Sequence, residues 1–227
     1  MSEGAGRQAP IPPEAPGPDC PLCNRLALFR ATNRALCPTW FNAPVPSFGP
    51  LDAPILVVGL APGLKGANRT GRPFTGDHAG VLLYQTFLRF GLARGAYGAE
   101  PSDGLTLTGC RIVNAVRCVP PANKPLPAEV AACNRFLAAE LAAMPALRVI
   151  LALGVLAHAA VLRTTGLPPS RTQFRHGAIH SLPNGGWLAD SYHVSRYNTN
   201  TGRLTPDMFE TVIRAVLARV GGEAPSD

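Results

Sequence analysis

The sequence has few cysteines, almost no lysine and no long apolar run, and each shortage excludes a class of protein. Six cysteines in 227 residues are too few for a small disulfide-stapled scaffold. No apolar stretch of the kind found in signal peptides follows Met1, so we expect a reducing, cytoplasmic compartment. The best candidate for a membrane span, residues 149–161, is shorter than the roughly 18–20 residues that cross a bilayer, which predicts no membrane partner.

Arginine supplies nearly all of the positive charge. The formal net charge is +7, from 21 Lys+Arg against 14 Asp+Glu, and Lys65 and Lys124 are the only lysines. Two interpretations stay open: the compositional bias of a GC-rich genome, or a surface selected to bind a polyanion. Several arginines fall in polar loops where a phosphate could be met, which makes nucleic acid a candidate partner. These are Arg69, Arg72, Arg171, Arg175, Arg196 and Arg203.

Apolar runs and their periodicity predict alternating strands and helices. Strands are predicted at residues 55–60, 111–116, 148–153 and 187–193, and helices at 81–88, 127–143, 155–163 and after Thr205. This order predicts an α/β fold with a parallel sheet covered by helices on both faces. Residues 1–19 hold five prolines and three glycines, which predicts a disordered tail before a domain at 20–220 and a flexible end at 221–227.

Three loops are predicted at the carboxyl edge of this sheet, where open α/β folds bind ligands. They are residues 61–77, 117–126 and 193–203, and they hold four asparagines, four threonines, five glycines and five arginines. One crevice built from these loops is therefore the predicted active site.

Four of the six cysteines form two pairs. Cys20 and Cys23 form a C-x-x-C, while Cys118 and Cys133 form a wider pair. A redox role has little support, because the C-x-x-C precedes the first strand instead of following one. Four thiolates suit a zinc ion or an iron–sulfur cluster, and the unequal spacing favours the cluster, with plain buried thiols as the third possibility. The remaining two, Cys37 and Cys110, are expected to be core thiols.

The loop after the first strand is rich in glycine, which lets the backbone approach a ligand closely. It is not a phosphate-binding P-loop, because Lys65 is not followed by Ser or Thr. Phe74 fits either a core plug or a platform for stacking a planar ring. Asp77 fits either a helix cap or a catalytic carboxylate. Asn114 and His193, each at the end of a predicted strand, fit either structural or site roles.

Three motifs resemble the type-5 uracil-DNA glycosylases. The motifs are residues 59–77, which begin Gly-Leu-Ala-Pro-Gly, residues 114–125 and residues 193–202, and they occur in the family's order. The resemblance extends from residue 20 to about residue 220. It implies a three-layer α/β/α sandwich around a four-stranded parallel sheet. It also implies a [4Fe–4S] cluster held by Cys20, Cys23, Cys118 and Cys133.

The resemblance implies that the chain flips uracil, and other deaminated bases such as hypoxanthine, out of DNA and hydrolyses the N-glycosidic bond, which starts base excision repair. Asp77 would position water or stabilise the sugar cation, Asn114 would read the base edge, and His193 would face the departing base oxygen. Most of the superfamily has a carboxylate or amide at the position of Ala61, so its usual way of activating water is in doubt here. The base-binding residues implied are Gly59, Ala61, Phe74, Asn114 and His193.

The same resemblance implies a DNA-contacting surface, a monomer and an activity at the bacterial nucleoid. A non-catalytic nucleic-acid-binding protein with an iron–sulfur or zinc site is the alternative, because the acid of the first motif is missing. The DNA-contacting residues implied are Arg69, Arg72, Ser195, Arg196, Tyr197 and Asn198.

Overall fold

The computed structural model describes residues 14–170, 172–183 and 185–222, and strands alternate with helices along most of this chain. The strands are β1 (Ile55–Gly59), β2 (Ala93–Arg94), β3 (Thr106–Leu107), β4 (Cys110–Asn114), β5 (Val149–Leu153), β6 (Ile179–Ser181) and β7 (Trp187–Ser191). The helices are α1 (Asn24–Leu36), α2 (Ala67–Thr70), α3 (His78–Arg89), α4 (Pro127–Ala142), α5 (Val155–Thr165), α6 (Arg196–Asn200) and α7 (Pro206–Val220), with a 3₁₀ turn at Pro121–Asn123.

The central sheet has the strand order β4-β1-β5-β7-β6. The first four strands are parallel, as predicted, whereas β6 pairs antiparallel with β7, with Ile179 opposite Ala189. The prediction of four strands was therefore wrong by one. Strand β6 has only three residues and none of them is buried, so it lacks the apolar run that marked the other strands. Strands β2 and β3 form a separate two-stranded ribbon.

Helices cover both faces of the sheet, which confirms the predicted α/β/α layers. Every residue of β1, β4 and β5 is buried, as expected for parallel strands with two covered faces. One apolar core joins the sheet to α3 and α7 and includes Val57, Leu83, Phe87, Leu151, Phe209 and Ile213. The other joins the sheet to α4 and α5 and includes Leu56, Val58, Leu137, Ile150 and Val161.

Three buried arginines are neutralised by carboxylates. The Glu140 carboxylate on α4 forms ion pairs with both Arg111 on β4 and Arg117 just beyond β4. In the second pair, Arg117 Nη2 lies 2.8 Å from Glu140 Oε2. Arg72 forms a two-pronged ion pair with Asp103, at 2.7 and 2.8 Å. Breaking such a buried pair on one side leaves an uncompensated charge, so these pairs fix α4 and the loop after α2 in place.

A second buried polar network joins α5, β6 and β7. Asp190 on β7 accepts from His158 Nδ1 at 2.7 Å and contacts His180 Nε2 at 3.1 Å. The other ring nitrogen of His158 lies 2.9 Å from the Thr172 carbonyl oxygen, which can only accept. Both nitrogens of His158 therefore face acceptors, and burial of the ring is opposed by these bonds to Asp190 and Thr172, which hold its pKa above the usual value.

The chain ends fall only partly within the described residues. The predicted N-terminal tail at 1–19 lies outside them up to residue 13, and the predicted C-terminal end lies outside them from residue 223. Pro18 and Asp19 contact the Arg34 guanidinium of α1 through a carbonyl and a carboxylate oxygen. None of the described helices combines the length and apolar character needed to cross a bilayer.

Candidate active site

A cavity of about 640 Å³ lies at the carboxyl edge of the sheet. Its walls come from the three loops predicted to meet there, those after β1, β4 and β7. The lining residues include Ala61, Gly63, Lys65, Phe74, Asp77, His78, Asn114, Asn123, His193, Ser195 and Arg196. The sheet topology explains this convergence, because parallel neighbours deliver their following loops to one edge.

Asp77 is both the N-cap of α3 and part of the cavity wall. Its Oδ1 accepts a hydrogen bond from the Ala79 backbone N–H at 3.1 Å, which leaves Oδ2 for a ligand. A Cβ on Gly66 would overlap that Oδ2, and one on Gly63 would lie 2.8 Å from it, so these glycines make room for the carboxylate. Burial raises the pKa of Asp77, against the lowering effect of the backbone N–H groups of Ala79 and Gly80. Both roles considered from the sequence are thus structurally compatible.

Asn114 and Phe74 pack against one glycine at the end of β1. Asn114 is the last residue of β4 and is paired with Gly59 across the strands. A Cβ on Gly59 would overlap Asn114 Oδ1 and would lie 2.7 Å from Phe74 Cζ. Among the described residues, the Asn114 amide has no hydrogen-bond partner, although the residue is only 4% exposed. A buried amide that faces a cavity without a partner is suited to a ligand with both donors and acceptors.

Phe74 forms one apolar wall of the cavity. Its backbone has a left-handed φ of 52°, and its carbonyl accepts a hydrogen bond from the Tyr97 hydroxyl at 3.1 Å. The ring is largely buried, and its centroid lies 5.9 Å from that of His193. Phe74 is therefore compatible with both roles considered from the sequence, because it packs into the core and still presents its ring to the cavity.

His193 lies two residues beyond β7, because the strand ends at Ser191 instead of at the predicted residue 193. Burial lowers its pKa to about 4, so the imidazole is neutral near pH 7. Its carbonyl accepts from the Asn198 side-chain amide at 2.8 Å, which fixes the turn into α6. No side-chain hydrogen bond holds the imidazole within the described chain, so it is available as a neutral donor to a ligand.

Helix α6 forms the rim of the cavity. Ser195 caps the helix by accepting from the Asn198 N–H at 3.4 Å, and Arg196 lines the opening. Tyr197 is 70% exposed, which is unusual for so large a ring. His78 Nε2 lies 3.1 Å from Thr199 Oγ1 and so joins the start of α3 to α6. Asn198 has a structural role here through its bond to His193.

Two arginines predicted to contact DNA have other partners. Arg72 is 6% exposed, is bound to Asp103 and lies over the rings of Phe48 and Tyr84. As a DNA contact Arg72 stays a prediction, although its guanidinium is bound to Asp103 and the residue does not line the cavity. Arg69 is partly exposed and forms an ion pair with Glu100 at 3.0 Å.

Three polar residues of the cavity were not predicted from the sequence. Lys65 is exposed at the opening, and His78 and Asn123 line the wall. Asn123 has a φ of 56°, in a turn after β4 that brings its backbone back towards the site. Asn is enriched in this left-handed region, and a proline-rich turn at a predicted ligand edge was the signal available for it.

The two cysteine pairs form a second site behind the first. Cys20, Cys23, Cys118 and Cys133 line one small pocket, with Leu26, Val116 and Phe136 around them. Two donors reach the sulfur atoms: Arg30 Nη1 at 3.4 Å from Cys118 Sγ, and the Arg117 N–H at 3.4 Å from Cys133 Sγ. Burial raises the pKa of Cys118 to about 11 and that of Cys133 to about 12. Ala61 lies between the two sites, since it lines the cavity and packs against this cluster.

The chemistry of this second site fits a metal centre. Four thiols, apolar walls and two N–H···S donors are the features of an iron–sulfur cluster site, and four thiolates could also hold a zinc ion. Cys110 is fully buried in the other core, and Cys37 ends α1.

Comparison with known proteins shows the family to which this chain belongs. A family model described as the uracil DNA glycosylase superfamily matches residues 46–217. The chain belongs to the uracil-DNA glycosylase superfamily. It is 48% identical over 200 residues to a type-5 uracil-DNA glycosylase from Thermus thermophilus, covering 86% of this chain and 90% of that protein.

Further relatives in the uracil-DNA glycosylase superfamily have the same description. A type-5 uracil-DNA glycosylase from Pyrobaculum aerophilum is 39% identical over 207 residues, which is 89% of this chain and 90% of the relative. One from Mycobacterium tuberculosis is 39% identical over 213 residues, or 90% of this chain and 79% of the relative. These relatives confirm the resemblance to type-5 uracil-DNA glycosylases, and the family match includes Asp77, Asn114 and His193.

Proposed function

We propose that this chain is a DNA glycosylase that excises uracil from DNA by hydrolysing the N-glycosidic bond. The observation that carries the proposal is the meeting of Asp77, Asn114 and His193 in one cavity of a uracil-DNA glycosylase superfamily member. Relatives over most of the chain are named type-5 uracil-DNA glycosylases. The reaction would begin base excision repair.

The base must leave the duplex to reach this cavity, because its glycosidic bond is shielded within the stack. Asn114 offers an amide with both a donor and an acceptor, and no described residue competes for it. A uracil edge presents an N–H between two carbonyl oxygens, so the amide can pair with it and leave the wrong base with unmatched polar atoms. The ring of Phe74 supplies a flat apolar wall for the flipped base.

Breaking the bond places positive charge on the sugar and negative charge on the departing base. His193 is neutral, and its ring N–H can donate to the base oxygen on which negative charge grows, an interaction worth about 3 kcal/mol when preorganised. Asp77 lines the cavity, and in its ionised form the carboxylate can stabilise the sugar cation or orient water. In this scheme neither side chain needs to form a covalent bond.

The small side chain of Ala61 shapes this chemistry. It brings no polar atom to the cavity, so the water-positioning role passes to Asp77, the carboxylate that lines the same wall. It also leaves space at the wall, which supports excision of a larger deaminated base such as hypoxanthine. Hydrolysis would thereby depend on the carboxylate of Asp77, at the end of the first motif.

Exposed groups around the opening would hold the DNA. Lys65 and Arg196 bring positive charge to the rim, where phosphates of the bent strand would pass. Tyr197, exposed on α6, would enter the duplex and keep the flipped base from returning. Ser195 and Asn198 would act by shaping α6, and Arg69 would bind phosphate if it left Glu100. The chain would act as a monomer on the DNA of the bacterial cytoplasm.

A [4Fe–4S] cluster would be held by Cys20, Cys23, Cys118 and Cys133. When bound, it would supply a rigid covalent link between the N-terminal segment, the turn after β4 and helix α4. The Arg30 and Arg117 donors would bind its thiolate ligands. Because Ala61 packs against this region, the cluster would support one wall of the cavity.

A cleavage assay tests the proposed activity. A labelled oligonucleotide with one uracil, single- or double-stranded, is incubated with the protein and then treated with alkali, which nicks abasic sites. Wild-type protein is expected to give alkali-dependent nicks in both the uracil substrate and a hypoxanthine substrate. Asp77→Asn is expected to slow single-turnover excision at least about 100-fold, since general bases contribute on this scale, while DNA affinity stays within about threefold.

Asp52→Asn is the matched control, because Asp52 is an exposed carboxylate at the opposite edge of the sheet, before β1. It should excise at the wild-type rate. DNA binding without any nick in the wild type would favour the non-catalytic nucleic-acid-binding alternative. A wild-type rate in Asp77→Asn would remove Asp77 from the mechanism while leaving the enzyme assignment intact.

A further inference from the structure

Arg30 is a buried cation without a carboxylate partner among the described residues. It lies on α1, is 5% exposed, and points its guanidinium at the pocket lined by the four cysteines. Nη1 donates to Cys118 Sγ at 3.4 Å, and Nη2 donates to the Cys20 carbonyl at 3.0 Å. Its Nε is buried and has no hydrogen-bond partner among the described residues.

The nearby acids are engaged elsewhere. Asp19 is close enough for its pKa to be lowered slightly by Arg30, but its carboxylate binds Arg34 at 2.5 Å and is mostly exposed. Burial and the nearby charge of Glu129 raise the pKa of Cys23, but the Glu129 carboxylate binds Arg25 through two hydrogen bonds of 2.7 Å. Among the described residues, no carboxylate oxygen lies within 4.0 Å of a guanidinium nitrogen of Arg30, the distance that defines an ion pair.

The other buried arginines show what is missing. Arg72 is paired with Asp103, and both Arg111 and Arg117 are paired with Glu140. A buried guanidinium with no negative partner is strongly unfavourable, so burial of this kind indicates an anion at the site. Arg30 faces Cys118 Sγ and the Cys20 carbonyl, which belong to two of the four proposed ligands. Four thiolates around a [4Fe–4S]²⁺ core would carry two net negative charges.

We propose that Arg30 is the internal counter-ion of the iron–sulfur cluster and raises its reduction potential. This rests on the cluster proposed above. A one-electron reduction adds a third negative charge, which a fixed neighbouring cation and an N–H···S bond stabilise more than the two charges of the oxidised form. In a site largely closed to water the effect is not screened, so Arg30 positions and tunes the cluster without touching DNA.

The test compares cluster-loaded wild type with Arg30→Met and Arg30→Lys. Potentials are measured by anaerobic spectroelectrochemical titration with dithionite, and iron is quantified in each sample. In Arg30→Met the equilibrium constant for reduction is expected to fall at least tenfold, which is about 59 mV for a one-electron couple. Arg30→Lys keeps the charge and should lie within threefold of wild type.

Arg135→Met is the matched control. Arg135 comes two residues after Cys133 but is 61% exposed, so water screens its charge and the equilibrium constant should change less than threefold. If Arg30→Met does not fold, Arg30→Gln replaces it, because its amide can still donate to Cys118 without a charge, and the same tenfold fall is expected.

The outcomes separate this inference from the proposed cluster. Wild-type protein that binds no iron under anaerobic reconstitution would overturn the cluster and the inference together. The other outcome concerns a wild type that binds four irons per chain. If folded and cluster-loaded Arg30→Met or Arg30→Gln then had the same reduction potential as this wild type, only the counter-ion role of Arg30 would be overturned.

Discussion

His193 is a neutral residue near pH 7. Burial lowers its pKa to about 4, and its ring faces the cavity next to Phe74. An imidazole in this state donates one N–H and cannot supply a proton from an imidazolium. In the proposed reaction its contribution would therefore be a fixed dipole that is already oriented before the base departs.

This state of His193 predicts a specific pH dependence. We expect no inflection from His193 in the wild-type excision rate between about pH 5.5 and 8, because the group titrates below that range. His193→Ala should lower the single-turnover rate about 100-fold, as for removal of one preorganised donor, with a parallel pH profile. A wild-type inflection near pH 6 to 7 that vanished in His193→Ala would instead indicate a charged, proton-donating histidine.

At this scale the sequence predicted the residue types better than their contacts. Asp77, Asn114, Phe74 and His193 all line the predicted cavity, because motif order and strand ends carried that information. The ion pair of Arg72 was not predicted, because a loop arginine looks the same in the sequence whether its partner is a phosphate or a carboxylate. Its partner, Asp103, lies 31 positions further along the chain, and only the folded structure brings them together.

Helix α3 begins on a residue of the active site. Asp77 Oδ1 caps the helix while Oδ2 faces the cavity. We expect Asp77→Ala to lower the free energy of unfolding by about 1 kcal/mol through loss of the cap, whereas Asp77→Asn should keep most of the stability because Asn caps equally well. Both variants should lose excision. Chemical denaturation and the cleavage assay measure the two effects separately.

Thr205→Ala provides the control for this helix prediction. Thr205 caps α7 in the same way, accepting from the Met208 N–H at 3.2 Å, but lies outside the cavity. It should cost a similar free energy of unfolding and leave excision unchanged. Equal destabilisation by Asp77→Asn and Asp77→Ala would show that the cap is not what Asp77 contributes to stability.

The elements that the sequence did not predict are helix α1 and several short ones. Only Leu26, Arg30 and Asn33 among the 13 residues of α1 are buried, so the helix shows no apolar stripe. Helices α2 and α6 have four and five residues, and β6 has three. Such lengths carry too few residues for a period to be recognised, and their hydrogen bonds depend on neighbours distant in sequence. Strand β6, for example, exists because β7 offers it an edge.

The network of His158, Asp190 and His180 holds three elements of the whole molecule together. Its electrostatic effect on folding has a definite sign. The pKa of His158 is raised in the folded state, so its stabilising contribution is fully present below the unfolded value of about 6.5 and is lost as pH rises through the folded value.

This sign gives a prediction for the intact protein. The difference in unfolding free energy between wild type and His158→Gln should be largest at about pH 5 to 6 and should shrink towards pH 8 or 9. His176→Gln should show no such gain in acid, because burial lowers the pKa of His176. A difference that grew with pH would mean that His158 is held neutral.

The positive charge of the molecule is divided between its inside and its surface. Four arginines, Arg30, Arg72, Arg111 and Arg117, are buried, and three of them are neutralised by carboxylates. The net charge of +7 therefore describes the surface less directly than the sequence suggested. Composition cannot make this division, because it depends on which arginines the fold encloses.

The order of the cysteine ligands along the chain bears on how the protein is made. Synthesis proceeds from the N-terminus, so Cys20 and Cys23 leave the ribosome first, and the proposed ligand set is complete once Cys133 follows. Strands β5 and β7 and the His193 turn are translated only afterwards. Loading of the proposed cluster could thus precede closure of the sheet. A nascent chain stalled after α4 would already contain all four proposed cysteine ligands but would still lack His193 and its wall of the cavity.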